Sequence, residues 1–336
     1  RDGRKKGRLL LQGFREPFAW DRGQTDSPVA NLSTVRSTVL SDEKCKVTGG
    51  VKRLSSADVS KAFLKADNFD AGDHERFVYL REHKLAEQRI FQLLGPLYGQ
   101  RSASRRWHKT IARWLTDEGY VQGRNDPCVF YKPDVDHLVI LWVDDVLSHG
   151  VDAVTAEFYK RLDKKFGICE PTYLTDETPL DFVSFIISQE TIDGKTYRYM
   201  DQERAVTDFV NEYGPGMSES VRSVTCPMPN KYAIGAHPEL LAEKEKKLYQ
   251  SMLGAINYFV STLRYDIAHP VSRLSQFSAN PTVGSMDALM RVVAYLGQTA
   301  SFCIGGCVTG VSDHFDFMCD SDHGGDRVAT LKSYTG

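Results

Sequence analysis

No stretch of this chain approaches the roughly 20 consecutive apolar residues that a helix needs to cross a bilayer, and no signal-peptide pattern opens it. Charge is not lopsided either. The 42 Lys and Arg against 44 Asp and Glu leave a formal net charge of -2, which excludes a uniformly basic nucleic-acid coat. The cysteines, Cys45, Cys128, Cys169, Cys226, Cys303, Cys307 and Cys319, are odd in number and lack the C-x-x-C pairing that zinc sites favour, so a reducing compartment is expected. Internal repeats and low-complexity tracts are missing as well. A soluble, intracellular protein is the expectation. With 41% hydrophobic residues over 336 positions, the chain has material for two or three domains with substantial cores.

What charge there is comes in patches. Arg1, Arg4, Lys5, Lys6, Arg8 and Arg15 stand against only Asp2, and Arg101, Arg105, Arg106, Lys109 and Arg113 cluster with no acid among them, so local basic surfaces are expected. Periodicity predicts short strands over 8–14 and 77–80 and a strand-to-helix transition over 54–64. It also predicts an amphipathic helix over 103–119, with Trp107, Ile111, Trp114 and Leu115 as its apolar stripe, a basic face opposite, and Gly119 as its stop. Two strands around Pro133–Asp136 and a return strand follow over 128–147, then a helix over 153–166 and strands over 182–189 and 197–200 around Asp193-Gly194. After Asp201 the pattern turns helical, over 203–213, 242–263, 267–277 and 285–296, with the stretch holding Pro215, Pro227 and Pro229 as a domain boundary. Phe315–Asp320 reads as one more strand. The start without Met, and an end at Lys332–Gly336 with no sign of a domain closing, make the chain read as a fragment of something longer.

Against this background the adjacent pair Asp144-Asp145 stands out. It closes the apolar run Leu138–Val143, and two carboxylates side by side near a core repel unless a cation or hydrogen bonds hold both charges. The plain alternative is an acidic hairpin turn. Asp58, where a predicted strand hands over to a helix, adds a third acid. Placed beside the Asp144-Asp145 hairpin, it would complete the oxygen set with which two Mg²⁺ ions support in-line phosphoryl displacement.

Further motifs come in a telling order: Arg8–Phe14, Asp58-Val59-Ser60-Lys61-Ala62-Phe63-Leu64, Leu97-Tyr98-Gly99 through Arg105-Arg106-Trp107, Asn125-Asp126-Pro127-Cys128-Val129-Phe130, and Trp142-Val143-Asp144-Asp145. After them stand Tyr249–Tyr258, Arg264-Tyr265-Asp266-Ile267, Val271–Ser275, Asn280-Pro281-Thr282 and Arg291–Leu296. From about Arg4 onward the series resembles the reverse transcriptase region of copia-type (pseudovirus group) LTR retrotransposon polyproteins, running into the start of RNase H. The chain departs from the family at Gln100–Ser104, at Trp142 in place of Tyr, at Ser184 in place of Gly near the primer grip, and at Tyr265 in place of Pro.

The resemblance implies an α+β right-hand polymerase of fingers, palm and thumb, with a helical connection and the first strand of a truncated RNase H-like domain. Its parts would be fingers and palm over 1–200, thumb and linker over 201–230, connection over 231–310, and the RNase H start over 311–336. It implies an RNA-directed and DNA-directed DNA polymerase in which Asp58, Asp144 and Asp145 hold two Mg²⁺ ions, or Mn²⁺ in their stead. Arg8, helped by Lys5 or Lys6, would clamp the triphosphate, unless it is only part of a solvated basic strand. Phe63 would block a ribose 2′-hydroxyl, though core packing explains it nearly as well. Gly99 and Arg105 would lie under the template and the incoming nucleotide, with Arg101 and Lys109 on the same face; a solvated helix face is the alternative. Lys165 or its neighbour Lys164 would approach the triphosphate. Asp320 matches the first RNase H acid, and this chain is not expected to cleave RNA by itself. The implied partners are an RNA template, a DNA primer, dNTPs and other segments of the parent polyprotein, with no membrane. The implied setting is a cytoplasmic virus-like particle with nuclear access. A decayed remnant that still binds nucleic acid is the alternative function.

Overall fold

The structure is a computed structural model that describes residues 9–16, 25–70, 73, 75–80, 89–214, 224–229, 232, 234 and 237–311. Lys5, Lys6, Arg8, Pro215, the strand expected over Phe315–Asp320 and the RNase H acid Asp320 lie outside the described residues. The chain divides into two compact units. One runs to Val183 with Gln189–Thr191 and Val308–Gly310; the other holds Ser184–Ser188, Ile192–Cys307 and the residues from Val311.

The first unit contains α1 (Leu32–Val39), β1 (Lys52–Asp58), β2 (Arg76–Leu80), β3 (Arg89–Leu93), α2 (Ala103–Asp117), β4 (Val121–Gln122), β5 (Val129–Lys132), β6 (His137–Trp142), β7 (Asp145–Val151), α3 (Asp152–Phe166), β8 (Thr172–Tyr173) and β9 (Leu180–Phe182). Six strands form one sheet in the order β4-β5-β6-β7-β1-β8, and β2 and β3 make a separate two-stranded ribbon. β6 and β7 are the central hairpin, buried along most of their length. α2 and α3 meet through aromatic edges: Trp107 on Phe166 at 5.2 Å and Trp114 on Phe166 at 5.6 Å between ring centroids. His137, a buried imidazole on β6, has both ring nitrogens engaged, Nδ1 with Tyr120 Oη at 2.5 Å and Nε2 with Ser148 Oγ at 2.6 Å. Burial, with the Lys132 charge adding to it, pushes its pKa down to about 4.

In the second unit β10 (Phe185–Ile192, of which Gln189–Thr191 count with the first unit) and β11 (Lys195–Asp201) form a hairpin joined by β12 (Cys303–Cys307), and α4 (Glu203–Tyr213), α5 (Glu243–Thr262), α6 (Ala268–Ser275) and α7 (Val283–Gln298) supply the helices. Their apolar stripes converge on a core that includes Phe209, Met252, Ile256, Leu274, Leu289 and Val292. Arg264, in the loop after α5, is 2% exposed. Its guanidinium donates to both Asp266 carboxylate oxygens at 2.9 and 2.7 Å, and to the Thr299 carbonyl and hydroxyl at 2.9 and 2.6 Å. The Arg264-Tyr265-Asp266 motif is thus a lock within this unit, a buried charge with a full set of partners.

Three expected elements differ. Residues 9–12 form no strand and lead into a 3₁₀ turn at Gly13–Arg15. There the Arg101 side chain takes the Gly13 and Phe14 carbonyls, which a neighbouring strand would otherwise pair. The helix expected after β1 shrinks to a 3₁₀ turn at Ala62–Lys65, because Lys61 sits at φ 58 in the left-handed region. The strand expected over 182–189 is interrupted at Val183, which stands at φ 63.

Candidate active site

β6 ends at Trp142 and β7 begins at Asp145, and these two residues pair with each other, so Val143 and Asp144 are the turn of a two-residue hairpin. Such turns want positive φ at the first central position, where glycine is usual. Val143 occupies it at φ 56, a β-branched residue in a region that costs roughly 1–3 kcal/mol. Two hydrogen bonds hold the turn from outside the hairpin: the Trp107 indole N–H donates to the Val143 carbonyl at 2.6 Å, and the Val59 N–H donates to the Asp144 carbonyl at 2.9 Å. β1 runs antiparallel beside β7 with Asp58 directly opposite Asp145, and residues so opposed stand about 4.5–5.5 Å apart at Cα. One end of the central strands therefore carries Asp58, Asp144 and Asp145.

Their charges act on each other. The Asp145 carboxyl is pushed up to about 6 by burial and then by the negative charges of Asp144, Asp58 and Asp181. Asp181, the exposed middle residue of β9, is a fourth acid that sequence reasoning missed. Leu180-Asp181-Phe182 alternates as a strand should, but nothing in that pattern tells which hairpin its acid will face. Asp58 is flanked by the segment after α3: its carbonyl accepts from the Cys169 N–H at 2.9 Å, and the Cys169 thiol lies 3.7 Å from its Oδ2. Among the described residues, no three His, Cys, Asp or Glu groups are gathered into a closed metal-ligating cluster. The donor set on the paired strands is nevertheless all carboxylate oxygen, the ligand type Mg²⁺ takes, and a divalent cation there would relieve the repulsion that raises Asp145.

The remaining predicted residues fall into distinct settings. Phe63, half-buried in the 3₁₀ turn just after Asp58, stacks at 5.1 Å and a 56° tilt on Tyr98. Gly99, at φ 88, lies so close to the chain start that a Cβ would sit 2.1 Å from the Leu11 carbonyl oxygen; it is a backbone crossing. Arg105 donates to the Asp26 carbonyl at 3.0 Å and pairs with its carboxylate at 3.5 Å, while Arg106 pairs with Asp73 at 2.8 Å and Arg113 with Asp67 at 2.7 Å. The basic face expected of α2 is thus tied largely to acids of its own unit, with Lys109 left exposed. Lys164 and Lys165 are exposed on the last turn of α3, just before Gly167, whose carbonyl accepts the Ser60 N–H at 3.1 Å. Asp126, in the Asn125–Phe130 motif, accepts from Asn31 N–H and Thr34 Oγ1 at 2.8 and 2.9 Å and so anchors the start of α1.

Residues 1–209 match the family described as reverse transcriptase (RNA-dependent DNA polymerase). The retrovirus-related Pol polyprotein from transposon TNT 1-94 of Nicotiana tabacum is 26% identical over 349 residues, covering 99% of this chain and 24% of the relative. The corresponding polyprotein from transposon RE1 of Arabidopsis thaliana is 25% identical over 304 residues, covering 88% of this chain and 19% of the relative. The chain thus spans about a quarter or less of the length of these curated relatives. A solved telomerase from Candida albicans, in complex with a fragment of telomeric RNA, aligns over 79% of this chain and 46% of its own at 12% identity with a TM-score of 0.29. Because the family match takes in well over half of the residues and the long alignments are to Pol polyproteins, this chain belongs to the reverse transcriptase (RNA-dependent DNA polymerase) family and corresponds to the reverse transcriptase region of a copia-type retrotransposon polyprotein.

Proposed function

We propose that the chain is an RNA- and DNA-directed DNA polymerase that joins dNTPs to a primer 3′-hydroxyl, with release of pyrophosphate, in the replication of its element. The observation that carries this reading is the strand register that sets Asp58 opposite Asp145 and next to Asp144. Asp58, Asp144 and Asp145 would hold two Mg²⁺ ions, or Mn²⁺, which when bound promote loss of the primer hydroxyl proton and stabilise the attacking and leaving oxygens. Phe63, five residues after Asp58 in the 3₁₀ turn Ala62–Lys65, would limit room at the sugar 2′ position. The exposed Lys165 and Lys164, together with Arg8 outside the described residues, are the cations assigned to the triphosphate.

The same reading assigns residues 1–200 to fingers and palm, 201–230 to thumb and linker, 231–310 to a helical connection and 311–336 to the start of RNase H, with Asp320 as that domain's first acid. RNA template, DNA primer and other segments of the parent polyprotein are the proposed partners, and a cytoplasmic particle with nuclear access the proposed setting. No helix of the described residues is long and apolar enough to cross a membrane.

A second reading, a catalytically decayed remnant that binds nucleic acid, is favoured by one observation: Arg101 and Arg105 are engaged with groups of their own unit instead of presented to a template. Primer extension on an RNA template with Mg²⁺, run beside filter binding of the same duplex, separates the two. The polymerase reading expects extension by the native chain and a loss of at least about 10³-fold in Asp144→Asn, with unchanged circular dichroism and duplex binding. Binding without extension in the native chain would establish the remnant instead.

A further inference from the structure

We propose that Trp107 is a positioning residue for the acid pair: its indole N–H holds the Val143 carbonyl and keeps the turn that aims Asp144 and Asp145 in its strained form. The inference rests on the reading of Asp144 and Asp145 as catalytic.

The argument begins with what a buried indole needs. Trp107 is 1% exposed, and a buried N–H left without an acceptor is destabilising. Its acceptor lies outside its own helix: the carbonyl of Val143, the hairpin residue at φ 56, at 2.6 Å. The bond and the strain therefore sit on the same residue. Released from Trp107, Val143 gains by rotating toward negative φ, and the rotation would carry the following two carboxylates with it.

The donor is itself held in place. The Trp107 ring stands edge-on to Phe166 at an interplanar angle of 84°, and Phe166 in turn meets Trp114 at 82°. Phe166 closes α3, and the next residues cross to the other acid-bearing strand: the Gly167 carbonyl accepts from Ser60 N–H, and Cys169 N–H donates to the Asp58 carbonyl. Trp107 thus lies between the two chain segments that bring Asp58 and Asp144-Asp145 together. It hydrogen-bonds one segment and packs against the residue that leads into the other. Phenylalanine at 107 would keep most of the packing and lose the bond.

The test is a double-mutant cycle with Trp107→Phe and Val143→Gly, read by primer-extension kcat and dNTP KM and by amide hydrogen exchange. Glycine removes the strain that the bond offsets. In the native background Trp107→Phe is expected to lower kcat about tenfold with KM within about twofold, and to speed amide exchange selectively over 142–146. In the Val143→Gly background the same change should cost less than about threefold. An unchanged kcat, an equal loss in both backgrounds, or faster exchange spread over α2 and the whole sheet would overturn the proposal. Should Trp107→Phe fail to fold, exchange of the indole protons in the native chain decides: slow exchange at Trp107 relative to the half-buried Trp114 supports the clamp, and equal rates sink it. A native chain that extends no primer would remove the polymerase reading, while the exchange data still decide whether Trp107 holds the turn.

Discussion

At the scale of single residues, Phe63 shows how a side chain can serve packing and selection together. Its ring leans on Tyr98 and is only half-buried, and it follows Asp58 by five positions through the left-handed Lys61. Removing the ring forfeits part of one aromatic contact, roughly 1 kcal/mol, so Phe63→Ala should fold. The expected outcome is a rise of about tenfold or more in the ratio of rNTP to dNTP incorporation, measured as kcat/KM for matched nucleotides. An unchanged ratio would reduce Phe63 to a packing partner of Tyr98. The acids were legible in the sequence because carboxylates at a strand end and at a hairpin turn announce themselves by type and place. Asp181 and the Trp107 bond were not. The first depends on which strand comes to lie near Asp145, and the second on where a buried N–H points, and neither leaves a periodic trace. Arg105 reads as a free cation in sequence, since its partner Asp26 is 79 residues away.

Among the elements, the crossing of the chain start over the Leu97–Gly99 segment does most to fix residues near the site. The Leu11 N–H donates to the Tyr98 carbonyl at 2.8 Å, and Gly13 and Gly99 approach so closely that a Cβ on Gly13 would meet the Gly99 carbonyl oxygen at 2.0 Å. A side chain at 99 meets both an unfavourable φ and a backbone wall. Gly99→Ala should therefore cost about 2 kcal/mol or more in urea unfolding, and it should speed amide exchange over residues 9–16. Full retention of stability would mean that the crossing opens freely. Elements with strong periods, α2, α3 and α4, fall within a residue or two of expectation, since a stripe of large apolar side chains leaves little choice of face. β12 was missed, and its sequence Cys303-Ile304-Gly305-Gly306-Cys307 explains why: two glycines and no aromatic give no strand preference. The strand forms because β11 offers a ladder and Gly305 fits under the Tyr199 ring.

On the scale of the whole molecule, the two units carry different responses to acid. In the second, Asp266 is held below the usual carboxylate range by Arg264 against the opposing effect of burial. Its contribution is therefore present above the unfolded carboxylate value near 3.8 and is lost only as pH falls below that. In the first, His137 is held neutral with a pKa near 4 against an ordinary value of 6.5. Facing it are the hydroxyls of Tyr120, Ser148 and Thr155, the ring of Phe158, and the nearby charges of Lys132 and Asp136. Above pH 6.5 both states are neutral and the contribution is whole. As pH falls from 6.5 to 4 the unfolded chain takes up the proton first, and the first unit loses about 3 kcal/mol. Asp145 works in the opposite direction, since protonation relieves its repulsion, but that effect is common to the native chain and to a His137→Gln variant. All four tryptophans, Trp20, Trp107, Trp114 and Trp142, precede Val183, so tryptophan fluorescence in urea follows the first unit. The expected result is that its unfolding free energy drops about 3 kcal/mol more between pH 7 and pH 4 in the native chain than in His137→Gln. Parallel pH profiles would show that the buried imidazole is protonated as readily in the fold as out of it.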